Sequence, residues 1–299
     1  MANWKLSDIP DLSGKTAVVT GGNVGLGFKS ALELARKGAE IVIGCRRLVS
    51  GEEAIGRIRQ ELPAAKLSCV ALDLTNLASV AAFGAAYKER HVRLDILMNN
   101  AGVVNLETLQ RTSDGHEMHM ATNHYGHFAL TAHLFGLLCR TRGARVVTLT
   151  SGSYRMGEIR LDDMDWRKRR YSRRSYGDSK LANLLFMRSL QQRFDAAEAD
   201  AISVAAHPGL TGTERQQSIG VGGMLAKWIA SPVSVGVAPQ LRAATDPGVR
   251  KCELYGPRYV IRGDAVANEI KGHGTDAALA ERLWSFTEEL TNCRFEAAR

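Results

Sequence analysis

The stretch that most narrows the folds open to this chain is Thr20-Gly21-Gly22-Asn23-Val24-Gly25-Leu26-Gly27, because of what stands on either side of it. Residues 15–20 read as a short buried strand, and Phe28 to Lys37 has helical character with Gly38 as its stop. A glycine turn between strand and helix permits a tight bend and a close approach of backbone to a pyrophosphate. The helix N-terminus then offers unpaired N–H groups and the positive end of a dipole. The spacing Thr20-Gly21-x-x-x-Gly25-x-Gly27 departs from Gly-x-Gly-x-x-Gly. On this reading Gly21, Asn23, Gly25, Leu26 and Gly27 form a dinucleotide cradle.

Strand and helix patterns alternate from there on. Strands are expected at Glu40 to Cys45, Leu67 to Leu74, Asp95 to Met98, residues 144–151, Ile202 to Ala206 and near Leu254 to Val260. Helices are expected at Gly51 to Leu62, Leu77 to Glu89, Asp114 to Leu138 and Ala277 to Leu290. This order predicts an α/β chain, a Rossmann-type doubly wound parallel sheet of about seven strands with helices on both faces. No internal repeat or linker interrupts it, so residues 1–299 read as a single domain.

Ligands of such a sheet sit beyond the carboxyl ends of its strands, which makes those ends the place to look for chemistry. The second strand ends in Arg46-Arg47 with no carboxylate, and arginine there pairs with the 2′-phosphate of NADP. The expectation is NADP(H) ahead of NAD(H), with Arg46 the chief contact. Asp73-Leu74 closes the third strand, where Asp73 is placed to accept from an adenine amine. Asn99-Asn100-Ala101-Gly102 follows the fourth and leaves room for a flat ring. The fifth strand carries Ser151, and the sixth runs into His207-Pro208-Gly209-Leu210-Thr211-Gly212-Thr213. Residues 210–235, with a short apolar helix at Met224 to Ile229, read as a flap over substrate.

Tyr176 and Lys180 stand four apart at the head of a pattern whose apolar stripe, Leu181, Leu184, Leu185 and onward, has helical period. Their side chains then share a face one turn apart. A phenol of pKa about 10 is a poor proton donor or acceptor at neutral pH, and a fixed ammonium favours its ionised form. His116, His119, His124 and His127 lie in the long helix pattern, but no carboxylate–cysteine company at ligand spacing accompanies them. They read as surface or satisfied core histidines, and no metal is expected.

The formal charge of +8 owes much to Arg167, Lys168, Arg169, Arg170, Arg173 and Arg174, six cations within eight residues. They read as a solvated, mobile loop, with attraction of an anionic substrate as the variant. No nucleic-acid motif accompanies them, so no nucleic-acid partner is expected. The apolar stretches are of strand length, and no membrane span or secretory leader is expected. Five widely spaced cysteines without Cys-x-x-Cys suggest reduced thiols and a cytoplasmic location.

Taken in order, Thr20-Gly21-x-x-x-Gly25-x-Gly27, Asp73-Leu74, Asn99-Asn100-Ala101-Gly102, Asn123, Ser151, Tyr176-x-x-x-Lys180 and Pro208-Gly209 resemble the short-chain dehydrogenase/reductase family across roughly residues 12–292. Asn123-His124-x-Gly126-His127-Phe128, the long interval from Ser151 to Tyr176, and His207-Pro208-Gly209 are similar to its retinol dehydrogenase-like and carbonyl reductase branch. The resemblance implies an NADP-dependent oxidoreductase that interconverts a carbonyl and an alcohol on a lipophilic small molecule. Tyr176 would be its acid/base, and Ser151 would hydrogen-bond the substrate oxygen. Lys180 would lower the tyrosine pKa and bond the nicotinamide ribose. Asn123 would distort its helix and hold a relay water. Asn100, Ala101, Gly102, Pro208, Gly209 and Thr211 would contact the cofactor, with Thr213 a helper. A homodimer or homotetramer is implied as well. Two positions depart from the family's pattern: Ser50 stands where retinol dehydrogenase-like relatives often carry lysine, and Val24 where some NADP-preferring relatives place a basic residue. The competing reading is a non-catalytic nucleotide sensor or scaffold of the same fold, which has no need of Ser151, Tyr176 and Lys180 together.

Overall fold

β1 (Thr16–Thr20) is buried at every position, as a strand covered on both faces must be. The computed structural model describes residues 4–104, 106–172, 174–209, 236–259 and 263–297. Around β1 lie β2 (Glu40–Cys45), β3 (Leu67–Ala71), β4 (Ile96–Asn99), β5 (Ala144–Leu149), β6 (Ala201–Ala206), β7 (Leu254–Pro257) and β8 (Ala265–Asn268). They form one sheet in the order β3-β2-β1-β4-β5-β6-β7-β8. Every neighbouring pair is parallel except β7 with β8. The chain leaves β1 toward β2 on one side and returns to β4 on the other, so the crevice of a doubly wound sheet opens above β1 and β4.

Alternation along the strands divides the core in two. Ala17 and Val19 pack with Ile41 and Ile43 against α1 (Gly25–Arg36), α2 (Leu48–Glu61) and α6 (Ala238–Thr245). Val18, Val42 and Leu97 face α3 (Leu77–Arg90), α4 (Gly126–Arg140) and α5 (Arg174–Ala196), where Phe83, Leu134, Phe186 and Leu190 meet them. Each such aliphatic or aromatic side chain contributes about 1.5–3 kcal/mol on burial. A third cluster, with Tyr125, Tyr154, Met164, Leu181 and Leu185, seats the segment after β5 against α5 and α7 (Ala277–Thr291).

Four features differ from the sequence reading. The sheet has an eighth strand, short and antiparallel at the edge, whose four residues carry too little apolar pattern to announce it. β3 stops at Ala71, and Asp73 lies in the turn beyond it, its Oδ1 accepting from the N–H and hydroxyl of Thr75 at 3.0 and 2.7 Å. The helix expected from Asp114 begins only with an α turn at Met118–Met120, widens into a π turn at Ala121–Tyr125 and then becomes α4.

The basic loop is the fourth difference, since part of it is pinned down. Arg169 is half-buried, reaching Asp178 at 2.9 Å and Asp163 at 3.4 Å with its guanidinium 3.8 Å above the Trp166 ring. Arg167 donates to Gly115 O and Lys168 pairs with Asp162. The charge run therefore holds its loop onto α5 through Asp178. The flap at 210–235, its helix at Met224 to Ile229, and Thr211 and Thr213 lie outside the described residues. Among the described residues no helix is long and apolar enough to cross a membrane.

Candidate active site

A cleft of about 820 Å³ opens at the crevice above β1 and β4, a volume usual for ligand sites. One wall is the glycine turn. Gly21 and Gly25 hold φ of +64° and +58°, a region side-chain-bearing residues avoid. A Cβ on Gly27 would collide with Gly21 O and lie 2.5 Å from Asn100 Nδ2. Val24 occupies the N-cap of α1 without a side-chain acceptor, which leaves the first N–H groups of the helix to an anion. These constraints fit a dinucleotide phosphate cradle.

Asn23 and Leu26 line the same wall, and Asp73 and Leu74 line the far end with Arg46 and Arg47. Ala101 and Gly102 form the floor. The floor is stitched to the turn by Thr20, whose Oγ1 accepts from the N–H groups of Asn100 and Ala101, both at 2.9 Å. Asn100 lines the cleft too, yet its amide is engaged internally, with Nδ2 donating to Thr20 O at 2.8 Å. Two cations that sequence reasoning missed join the lining, Lys29 and Arg57. Lys29 is paired with Glu33 at 2.6 Å. Arg57 lies with its guanidinium 4.1 Å from the Phe28 ring centroid. Its position on α2, facing the same end as Arg46, is a helix-wheel signal that no linear motif displays.

The second part of the site stands where α5 docks on the end of β5. Thr150 Oγ1 donates to Lys180 O at 2.7 Å, while Lys180 Nζ and Asn183 Nδ2 donate to Leu149 O at 3.1 and 2.9 Å. Lys180 is buried, and its Nζ lies 5.6 Å from the Tyr176 ring centroid. Ser151 acts on the phenol, and its Oγ donates to Ser153 Oγ at 3.3 Å and accepts from Ser153 N at 3.2 Å. Asn123 sits inside the π turn, fully buried. Its Oδ1 accepts from Val103 N at 2.8 Å, and its Nδ2 donates to Val103 O at 3.1 Å and Ser179 Oγ at 2.9 Å. The amide thus clamps the segment after β4 to α5. His119, another residue that sequence reasoning did not single out for the site, lies 5.7 Å ring to ring from Tyr176, edge on, and is held by Glu117 at 2.9 Å.

Desolvation dominates the electrostatics. Burial pushes Tyr176 up to about 12, with the Ser151 hydrogen bond acting downward, and it brings Lys180 down to about 8. The expected depression of the tyrosine by Lys180 is not among the influences on the phenol, and Nζ is directed to Leu149 O.

Ser151, Tyr176, Lys180 and Asn123 are brought together, and they adjoin the cleft without lining it. The junction is Gly102, where a Cβ would lie 2.8 Å from Asn123 Oδ1 and 3.7 Å from Lys180 Nζ. Pro208 and Gly209 stand beyond β6 and are not part of the cleft lining. His124 and His127 have protein partners, Thr287 for the first and Thr20 and Asn123 O for the second.

A family model described as short chain dehydrogenase matches residues 15–221. Retinol dehydrogenase 14 of Mus musculus is 36% identical over 295 residues, which cover 93% of this chain and 86% of that protein. The short chain dehydrogenase/reductase dpchH of Colletotrichum higginsianum is 36% identical over 309 residues, covering 95% of this chain and 77% of that one. The crystal structure of an uncharacterized protein from Mycobacterium Paratuberculosis superimposes with a TM-score of 0.83 at 36% identity, over 99% of this chain and 100% of its own.

Proposed function

The chain belongs to the short-chain dehydrogenase/reductase family of NAD(P)-dependent oxidoreductases, and from that premise we propose that it interconverts a carbonyl and an alcohol on a lipophilic small molecule, using NADP(H). The observation that carries this reading is the junction at Gly102. There the floor of a nucleotide-sized cleft runs directly into Asn123 and Lys180, with Tyr176 and Ser151 beside them. NADP(H), when bound, supplies or takes up the hydride.

The chain's own residues handle the proton and the charge. Ser151 donates to the substrate oxygen where negative charge develops. Tyr176 gives that oxygen its proton during reduction. With the phenol pushed up to about 12, it is fully protonated at neutral pH and yet far more acidic than an alcohol, which suits the donor role. Lys180 serves the ribose hydroxyls at the end of the cleft. Arg46 holds the 2′-phosphate with help from Arg47 and Arg57, so that Arg57 offsets the absence of a basic residue at Val24 and Ser50. Relatives named retinol dehydrogenases support a lipophilic substrate, and five free thiols support a reducing, cytoplasmic setting.

The test is a spectrophotometric screen of aldehydes, ketones, quinones and steroids with NADPH and NADH in parallel. Oxidation of NADPH in preference to NADH is expected for at least one lipophilic carbonyl. Clear NADPH binding with no oxidation across the panel would instead favour a nucleotide sensor.

A further inference from the structure

His127 has no part in the chemistry above, yet its ring joins the two halves of the site. It is 1% exposed, with Nδ1 3.0 Å from Asn123 O and Nε2 2.9 Å from Thr20 Oγ1. Proton accounting fixes the direction of both bonds. A carbonyl can only accept, so Nδ1 carries the hydrogen. In a neutral imidazole Nε2 is then the acceptor, and the Thr20 hydroxyl donates to it at 2.9 Å in preference to its second acceptor, Met98 O at 3.3 Å. The two acceptor positions left on Thr20 are filled by Asn100 N and Ala101 N.

The chain of donors therefore runs one way, from the floor of the cleft through Thr20 and His127 to the backbone of the π turn. A charged ring would aim a second N–H at a hydroxyl with no lone pair to spare. The surroundings oppose that charge: the site is buried, Lys180 approaches from α5, and His124 lies on the same helical segment. The π turn matters because its backbone bonds skip five residues, as in Gly126 N–H to Ala121 O. The bond from His127 to Asn123 O fastens the residue that clamps Val103 and Ser179.

We propose that His127 is a positioning residue that ties the turn and floor of the cofactor cleft to the π turn bearing Asn123, so that cofactor seating and the geometry of the proton-transfer group are set together. The proposal rests on the cofactor-cleft reading given above. It predicts that the two bonds of His127 are separable. His127→Asn keeps a donor near the Nδ1 position and loses the acceptor for Thr20. His127→Gln keeps an acceptor near the Nε2 position and loses the donor to Asn123. His127→Phe keeps the ring and neither bond.

Two measurements decide the matter. In the full-length wild-type protein labelled with ¹⁵N-histidine, His127 is expected as the neutral Nδ1–H tautomer at pH 7, and an Nε2–H tautomer or an imidazolium would overturn the proposal. Among the variants, His127→Asn should weaken NADPH binding about fivefold with a smaller change in kcat, the loss expected of one neutral hydrogen bond. His127→Gln should show the reverse, and His127→Phe both losses. Equal losses in all three that track their melting temperatures would reduce His127 to a packing residue and overturn the proposal. A wild-type protein that reduces no carbonyl would sink the proposed function alone, because the tautomer and the NADPH titrations still report on His127.

Discussion

Replacing Lys180 by methionine should make this protein more stable and inactive at once. Burial brings the lysine from 10.5 to about 8. At about 1.4 kcal/mol per pKa unit, holding the ammonium in place at pH 7 costs about 3 kcal/mol of stability. Against this stands the hydrogen bond to Leu149 O at 3.1 Å, worth about 1 kcal/mol. That carbonyl is not orphaned in the variant, because Asn183 Nδ2 also donates to it at 2.9 Å. Methionine fills the stem's place without charge. The net gain is then about 2 kcal/mol, or roughly 3–5 °C in Tm for a chain of this size. The pH dependence gives a sharper check. A lysine whose folded pKa lies below its unfolded value penalises the fold fully below about pH 8, and the penalty fades as pH rises toward 10.5. Thermal unfolding of both proteins between pH 7 and 10.5 should show the variant's advantage shrinking across that window. A variant less stable than wild type at pH 7, or an advantage indifferent to pH, would refute the reasoning, as would retained carbonyl reduction.

Arg46→Ala should raise the Kd for NADPH far more than for NADH, and Arg57→Ala should do the same to a smaller degree; equal losses for both coenzymes, read by fluorescence titration, would show that neither reads the phosphate. Gly27→Ala should lower NADPH affinity at least tenfold, since its Cβ meets the backbone at Gly21 O, and unchanged binding would dismiss the cradle. Arg169→Met should destabilise by about 3 kcal/mol at pH 8, by leaving Asp178 buried without its partner. Burial already pushes that carboxyl up to about 6, so the ionised form costs stability as pH rises through 6. The Arg169→Met penalty measured by denaturant unfolding should accordingly be smaller at pH 5, and an equal penalty at both pH values would count against the pair.

Much of the site was legible because its signals are local. A strand, a glycine turn and a helix in succession admit few folds, and Tyr176 and Lys180 share a helix face whatever the rest of the chain does. The strand ends then place Arg46, Asp73, Asn100 and Ser151 on one edge. What escaped depends on contacts between distant segments. Arg57 reaches the cleft only because α2 packs beside Phe28, and the distortion at Asn123, implied by the resemblance alone, is a π turn that helical periodicity does not distinguish from an α turn. Charge in the sequence also misled about the basic loop, since a run of cations looks alike whether it meets solvent or, as Arg169 does, two carboxylates and an indole. The raised pKa of Tyr176 is hidden for the same reason, because spacing reveals the ammonium nearby but not the desolvation of the phenol.

The most direct test of the account follows the hydride and the proton together. With NADPH carrying deuterium at the transferring position of nicotinamide C4, wild-type protein should deliver the label to the carbinol carbon of the product alcohol. Tyr176→Phe should bind NADPH within a few-fold of wild type and form no labelled alcohol. Labelled product at an undiminished rate from that variant would contradict the assignment of Tyr176 as the proton donor.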